Sequence, residues 1–161
     1  MTEVLNLAVR CHEAQGQHKE ALTFFTKHEA KIVDLVARHD YGGRLYFKTG
    51  NKAKALEYYE ELLQLNTADL TTYYKILEVN GIQLEEGVTL SASEQSELKK
   101  ILLEYQEKIP KASAPLRLAI RYTSGDDFSE LLERHVRPLL IKGVPSMMQD
   151  LKEFYTDADK V

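Results

Sequence analysis

The chain has 161 residues, of which 43% are hydrophobic and 29% are charged, and its formal net charge is -4. A chain of this length and composition can bury an apolar core, which argues against wholesale disorder. Its acidic balance and its scattered basic residues argue against direct nucleic-acid binding.

The first predicted helix begins near the amino terminus and ends near Gly16. Its apolar stripe consists of Val4, Leu5, Ala8, Val9 and His12. The segment is amphipathic and carries acids, unlike a secretory signal peptide. Together with the single Cys11, which excludes an internal disulfide and a cysteine zinc site, it predicts a reducing, cytoplasmic location. No apolar run approaches the roughly 20 residues that cross a bilayer, so we expect no membrane partner.

A second, longer helix is predicted after Gly16, and then the pattern restarts. The second stripe consists of Ala21, Leu22, Phe25, His28, Ile32, Leu35 and Val36. Tyr41, Leu45 and Tyr46 form the next helix, which ends at Gly50. Another helix follows from Ala53 to Leu65, with Ala53, Leu56, Tyr59, Leu62 and Leu63 expected on its apolar face.

The two halves of this region repeat with a period of 34 residues. Gly16 corresponds to Gly50, Ala21 to Ala55, Leu22 to Leu56, and Phe25 to Tyr59. Helix, glycine turn and helix at this period is the layout of tetratricopeptide repeats. The small residue lets two helices approach closely, and the aromatic fills the space toward the next unit. We expect the glycines of YGGRLY, residues 41–46, to permit similar close packing. The sequence therefore predicts an all-α, right-handed, tetratricopeptide-like solenoid of antiparallel helix hairpins.

A third hairpin is expected one period further on, beginning near Tyr73. An acidic insertion around residues 81–93, with Glu85 and Glu86, separates its two helices. Ser91 and Glu94 have the spacing of a capping box, which would start the second of them. Its stripe is Leu98, Leu102 and Tyr105, and it is expected to end at Pro110. Residues 1–110 are therefore expected to form three hairpins, and residues 111–161 less regular helices that continue the solenoid.

The last part of the chain is more irregular. Residues 111–122, KASAPLRLAIRY, are read as a connector leading to a short helix or turn. Ser124 is the expected cap of the next helix, with Asp126 and Asp127 near the positive end of its dipole. Pro138 is expected to end or bend that helix. A final helix should place Met148, Leu151 and Phe154 or Tyr155 inward.

None of the candidate catalytic groups has the partners that its chemistry needs. The two HEA segments, which begin at His12 and His28, lack the second histidine of a zinc-protease motif. Asp126 and Asp127 are adjacent on a helix and point about 100° apart, so they cannot readily flank one substrate. Ser124 lies in no nucleophile elbow, and Cys11 does not face its neighbour His12. We therefore predict no catalytic residue, no metal site and no enzyme activity.

That leaves the surface as the candidate functional region. In stacked hairpins the first helices line the concave side. This rule places five residues in a groove, namely Asn6, Arg10, Asp40, Arg44 and Tyr74. Arg10 and Arg44 are one period apart and should stand one above the other.

Two interpretations of this groove remain open. The arginines could form a partner-binding ladder, or they could pair with local acids such as Asp40. A carboxylate clamp would need lysines and asparagines where the chain has Tyr41, Thr71 and Lys75, so the match to that module is poor.

Several longer segments resemble the auxiliary, large subunit of the N-terminal acetyltransferase A complex. In chain order they are HEAKIVDLVA, RLYFKTGNKAKALEYYEELLQLN, YYKILE, YTSGDDF and KGVPSMMQDLKEFY. The resemblance extends from about Leu7 to Val161. The last two segments are not generic features of tetratricopeptide repeats. The chain departs from the family at Ile76, where a glycine is usual, and at Ser146, where a proline is common. Family members are also several times longer.

The resemblance implies a non-catalytic scaffold in a complex. The family's large subunit wraps the catalytic subunit, shapes its peptide specificity and links it to the ribosome through the full-length protein. Acetyl-coenzyme A belongs to the catalytic partner, so no cofactor is expected on this chain. The alternative is a free-standing tetratricopeptide adaptor for another protein complex.

Overall fold

The computed structural model describes residues 2–84 and 90–154. Within these ranges every regular element is helical and no strand is present, so the predicted all-α class is confirmed. The α-helices are α1 (Thr2–Ala14), α2 (His18–His28), α3 (Leu35–Lys48), α4 (Lys52–Leu65), α5 (Leu70–Val79), α6 (Ala92–Lys108), α7 (Ala114–Tyr122), α8 (Gly125–Lys142) and α9 (Met147–Leu151). Two short 3₁₀ helices span Glu29–Lys31 and Lys152–Phe154.

The chain divides into two compact units, Met1–Gln83 and Leu84–Val161. The first contains α1 to α5, and the second contains α6 to α9. The predicted third hairpin would pair α5 with α6, which belong to different units. That hairpin and the domain division at residue 110 therefore stay predictions, and Glu85 and Glu86 lie outside the described residues.

The first unit is a succession of packed helix pairs. α1 packs on α2 and α3 packs on α4, while α2 also contacts α3 and α4 contacts α5. The turns inside the two hairpins are made by Gly16 and Gly50, whose φ angles are 72° and 87°. Glycine adopts this left-handed conformation without the steric penalty of a side chain, so it ends the first helix of each pair.

The residues that the period relates are buried in both hairpins. Ala21 and Phe25 belong to the first core cluster, and Ala55 and Tyr59 are buried on α4. The predicted stripes need two corrections at their edges. Val4 and Ala53 are exposed, because each lies on a side of its helix that does not face the core. Ala53 precedes the buried Ala55 by two positions, which is about 200° of helix rotation.

The second helix is shorter than predicted. α2 ends at His28, and a 3₁₀ turn carries the chain to the buried Ile32. The Asp34 carboxylate then accepts a hydrogen bond from the Ala37 amide at 3.1 Å and caps the start of α3. Leu35 and Val36 therefore lie in the first turn of α3, where both are exposed, rather than in the stripe of the second helix.

The second unit starts with the predicted capping box. The Ser91 amide donates to Glu94 Oε2 at 2.8 Å, and the Glu94 amide donates to Ser91 Oγ at 3.4 Å. Leu98, Leu102 and Tyr105 are buried on α6 as predicted. α7 is the predicted short helix, and it packs on both α6 and α8.

α8 differs from its prediction at both ends. It follows Ser124, but the Ser124 hydroxyl contacts Gln95 Oε1 at 3.3 Å and does not cap the helix. It also continues past Pro138 to Lys142, so the alternative in which Pro138 ends the helix is wrong. Pro138 and Arg134 are both exposed. Solvent can therefore hydrogen-bond the Arg134 carbonyl that the missing proline amide leaves unpaired.

The last described segment is a short α9 followed by a 3₁₀ turn. Met147 is buried and Met148 is exposed, which reverses the prediction for Met148. Phe154 is buried as predicted, and Tyr155 lies outside the described residues. α9 begins at Met147, two residues beyond Pro145, and this start sets which methionine faces the core.

Candidate partner-binding site

Close packing of α3 on α4 positions the residues of the predicted groove. A Cβ atom on Gly42 would lie 2.4 Å from the Tyr58 ring, and one on Gly43 would lie 2.4 Å from the Tyr59 ring. A side chain at either position would force the facing ring to move, so glycine is the residue that fits this packing. The predicted packing role of the two glycines is confirmed.

A cleft of about 410 Å³ lies along the first helices of the first unit. Arg10, Asp40 and Arg44, three of the five predicted residues, line this first-helix cleft. Asn6 lies on α1, and its side chain falls outside the described part of the structure. Tyr74 lies half-buried on α5 and is not among the cleft-lining residues.

Arg44 is held by a bidentate ion pair with Glu13 of α1. Its Nε and Nη2 atoms donate to the two Glu13 carboxylate oxygens at 2.9 and 2.8 Å. The Glu13 side chain is 10% exposed and that of Arg44 is 34% exposed, so this pair is partly shielded from solvent. The guanidinium also lies 5.0 Å from the centre of the Tyr41 ring. Burial alone would lower the pKa of Arg44, but hydrogen bonding to Glu13 and the charges of Glu13 and Asp40 raise it. The side chain therefore stays cationic.

Asp40 connects Arg44 to α5. One of its carboxylate oxygens lies 3.6 Å from Arg44 Nη1, and the other accepts from the Lys75 ammonium. Glu13, Arg44, Asp40 and Lys75 thus form a chain of alternating charges across α1, α3 and α5, which we call the charge chain. The arginine–acid pairing considered for Arg44 is present. Whether Arg44 also contacts a partner stays a prediction.

Sequence reasoning missed Glu13 and Lys75. Both lie about one period from their partners, since Glu13 precedes Arg44 by 31 residues and Lys75 follows Asp40 by 35. A search for opposite charges at roughly this separation would have found both pairs.

Arg10 differs from Arg44 although both line the cleft. Its side chain is exposed. It forms no ion pair with any side chain that the structure describes, whereas Arg44 contacts two acids. The structure therefore brings the two predicted arginines to one cleft, and of these two only Arg10 has no ion pair with the side chains that the structure describes.

A second cleft of about 410 Å³ lies between α2, α3 and α4. The buried His39 has its Nδ1 2.9 Å from Glu61 Oε2, without the angle of a hydrogen bond. Tyr58 donates its hydroxyl proton to Glu29 at 2.9 Å. Burial is the main reason that the pKa of Tyr58 lies well above its usual value, and the bond to Glu29 adds to the shift. The Tyr58 hydroxyl therefore remains a donor through the physiological range.

Metal sites and membrane-spanning helices have no candidate in the described part of the chain. No group of three histidine, cysteine, aspartate or glutamate side chains there is arranged to hold a metal ion. Among the same residues, no helix has both the length and the apolar character needed to cross a membrane.

Comparison with known proteins gives consistent results. The model of the family "N-terminal acetyltransferase A, auxiliary subunit" matches residues 2–161. The chain is 28% identical over 154 residues to the N-terminal acetyltransferase A complex auxiliary subunit NAA15 of Arabidopsis thaliana. It is 30% identical over 143 residues to the mouse N-alpha-acetyltransferase 16, NatA auxiliary subunit. These alignments cover 96% and 89% of this chain, but only 17% and 15% of the relatives.

A solved structure supports the fold. The chain matches one in the structure of Naa15/Naa10 bound to HypK-THB with a TM-score of 0.80 and 24% identity. The match covers 99% of this chain and 23% of that one. The likeness confirms the predicted tetratricopeptide-like class.

Proposed function

The chain belongs to the family of N-terminal acetyltransferase A auxiliary subunits, and on that basis we propose that it is a non-catalytic scaffold for the catalytic subunit of such a complex. The observation that carries this proposal is the family match over residues 2–161. The match to a chain in the Naa15/Naa10 structure supports a catalytic subunit as the partner.

The binding surface that we propose is the first-helix face of the first unit. Arg10 would contact the partner directly, since its side chain is exposed and has no ion pair among the described residues. Asp40 and Arg44 would shape the same surface through the charge chain, which joins three helices. Asn6 and Tyr74 complete the proposed set, as positions on α1 and α5.

The mechanism that we propose is contact over an extended surface. Affinity in such an interface comes from a few well-packed anchors rather than from one pocket. Acetyl-coenzyme A would be held by the catalytic partner. A scaffold of this kind would reshape the partner's peptide site through contact, without residues of its own touching the reacting atoms.

The remaining parts of the proposal concern a longer assembly, because the chain spans 17% of its plant relative. We propose that the full-length protein links the catalytic subunit to the ribosome and acts in the cytoplasm. Within it, residues 1–110 would contribute three hairpins and residues 111–161 further helices of the same solenoid.

Co-purification tests the scaffold. The natural full-length chain, expressed with the catalytic acetyltransferase subunit, is expected to elute with it as one complex in gel filtration. The complex should acetylate N-terminal peptides with a specificity that differs from that of the catalytic subunit alone. A chain that never associates with the catalytic subunit, but copurifies stably with another protein, would support the adaptor alternative instead.

A turnover assay tests the non-catalytic role. The chain without its partner is expected to transfer no acetyl group from acetyl-coenzyme A to peptides. Reproducible transfer that persists through purification and is absent from a mock preparation would contradict this part of the proposal.

A further inference from the structure

We propose that the first-helix cleft binds a carboxylate side chain of the catalytic subunit that is flanked by aliphatic residues. The inference rests on the proposed function and specifies the chemistry of the partner segment. It follows from how the charges and the apolar side chains of the cleft are already used.

Five of the six charged residues that line the cleft are engaged within the chain. Asp40, Arg44 and Lys75 belong to the charge chain. Asp34 caps α3 by accepting from the Ala37 amide, and Asp69 caps α5 by accepting from the Thr71 amide at 3.2 Å. The sixth is Arg10, which has no ion-pair partner in the described part of the chain.

The charged group of the cleft that has no ion-pair partner among the described side chains is therefore the guanidinium of Arg10. A guanidinium presents five N–H donors in a planar fork that matches a carboxylate bidentately. Arg44, which lines the same cleft, already forms one such pair with Glu13 of α1. A partner carboxylate at Arg10 would repeat this geometry between chains.

The acids of the cleft do not favour a cationic ligand. Asp34 and Asp69 lie at helix amino termini, where the helix dipole offsets their charge and a backbone amide donates to one oxygen of each carboxylate. Asp40 lies between Arg44 and Lys75. A lysine or arginine from a partner would compete with these interactions for the same acids, whereas a carboxylate at Arg10 competes with no ion pair among the described side chains.

The aliphatic part of the proposal comes from the wall of the cleft. Val36 lines it and is 56% exposed, in the first turn of α3. Leu70, which is 41% exposed, directly follows the cleft-lining Asp69 at the start of α5. Burying such side chains against a partner removes apolar surface from water and stabilises the contact. An acidic residue next to leucine, isoleucine or valine would satisfy Arg10 and cover this wall together.

Charge reversal at Arg10 tests the inference. In the full-length chain, Arg10→Glu is expected to weaken capture of the catalytic subunit by about tenfold, because an attraction becomes a like-charge repulsion. Arg10→Lys keeps the charge and should lose only part of that effect. Lys19→Glu on α2 is the matched control, since it reverses an exposed charge of the same unit away from the cleft, and it should leave capture unchanged.

Cross-linking identifies the partner segment. A photoreactive amino acid at position 36 is expected to join a catalytic-subunit peptide that contains aspartate or glutamate beside an aliphatic residue. Changing that acid to arginine should restore capture by the Arg10→Glu chain. A cross-linked peptide without an acid, a cross-link only within the chain itself, or failed rescue would overturn the inference.

The two levels of the proposal fail differently. If the wild-type full-length chain does not bind the catalytic subunit, the proposed function is wrong. If the wild type binds and Arg10→Glu binds equally well, with unchanged helical circular dichroism, only the carboxylate assignment is wrong.

Discussion

The two hairpins of the first unit share a period but pack their helices through different residues. Corresponding positions carry Ala8 and Val9 with Phe24 and Phe25 in the first hairpin, and Gly42 and Gly43 with Tyr58 and Tyr59 in the second. In the second hairpin the aromatic rings occupy the volume where Cβ atoms would lie. In the first, Val9 supplies a buried side chain of its own.

This difference shows that the repeat specifies a layout and not one packing solution. Phe25 and Tyr59 are both buried, so the aromatic position keeps its role. The second hairpin combines smaller residues on one helix with hydroxyl-bearing rings on the other. It therefore gains polar contacts, such as that of Tyr58 with Glu29, that the phenylalanines of the first hairpin cannot form.

The largest loss of stability is expected from replacing Gly43, because the ring that faces it is buried. Gly43→Val places three carbons against the buried Tyr59 ring and should lower the free energy of unfolding by about 3 kcal/mol. Urea denaturation followed by circular dichroism measures the change. Gly43→Ala should show the same direction with a smaller loss, because alanine gains roughly 1 kcal/mol of helix propensity over glycine.

Gly42→Ala provides the comparison within the same helix. Its Cβ would meet the Tyr58 ring, which is only half-buried and can shift more easily than Tyr59. The loss should therefore be smaller than for Gly43→Ala. Equal losses at both positions would contradict the assignment of the larger constraint to Gly43.

The next largest loss of stability is expected from breaking the ion pair that joins the two hairpins. Glu13→Gln keeps the shape of the side chain but removes its charge from the bidentate pair with Arg44. We expect a loss of about 1 kcal/mol in the same measurement, since the pair is only partly shielded from solvent and Arg44 retains Asp40. Glu57→Gln, which removes the exposed pair with Lys54, is the control and should cause no measurable change.

Tyr58→Phe makes the second hairpin resemble the first at one position. It removes the hydroxyl that donates to Glu29 and should cost about 0.5–1.5 kcal/mol. A double-mutant cycle with Glu29→Ala isolates the pair. Additive losses from the two substitutions would show that the bond does not contribute.

The smallest loss of stability is expected at alkaline pH, where the buried Tyr59 can ionise and the corresponding Phe25 cannot. Burial, followed by the charge of Asp40, holds the pKa of Tyr59 well above its usual value. The folded state therefore retains a proton that the unfolded chain releases from about pH 10. The contribution of Tyr59 to the free energy of unfolding is fully present below that pH and is lost as the pH rises further. By about pH 10.5 the loss should stay below roughly 1 kcal/mol.

Denaturation midpoints between pH 8 and 10.5 measure this dependence. Tyr59→Phe should reduce its slope. Phe25→Tyr, at the corresponding position of the first hairpin, should increase it, provided that the variant folds. An unchanged slope in Tyr59→Phe would mean that the remaining tyrosines dominate, among them Tyr73, whose pKa burial raises to about 12.

Much of the fold could be predicted because it depends on local spacing. The period located the turns at Gly16 and Gly50 and the buried pairs at Ala21 and Phe25. The errors arose where apolar residues continued across a break. Leu35 and Val36 extended the second stripe, although Asp34 starts a new helix there. Adjacent methionines at 147 and 148 could not be separated without the start of α9.

The site was less predictable because it depends on contacts between helices. The period brought Arg10 and Arg44 to one cleft, but it could not assign Glu13 to Arg44 rather than to Arg10, its neighbour on α1. That choice depends on the side-chain directions of two helices that are distant in sequence. Asp40 was considered a partner of Arg44, yet Lys75 was not, because the alignment of α5 beside α3 appears only in three dimensions.

The interlocked glycines and tyrosines have a consequence for engineered repeat arrays. If α3 were combined with a consensus second helix, its glycines would face a void. If α4 were combined with a consensus first helix, its tyrosine rings would clash with the side chains there. The second hairpin should therefore be transplanted only as a whole, from Asp34 to Asn66, so that both halves of the fit travel together. The first hairpin, with its own side chain at position 9, carries no such restriction on glycine and suits the exchange of single helices better.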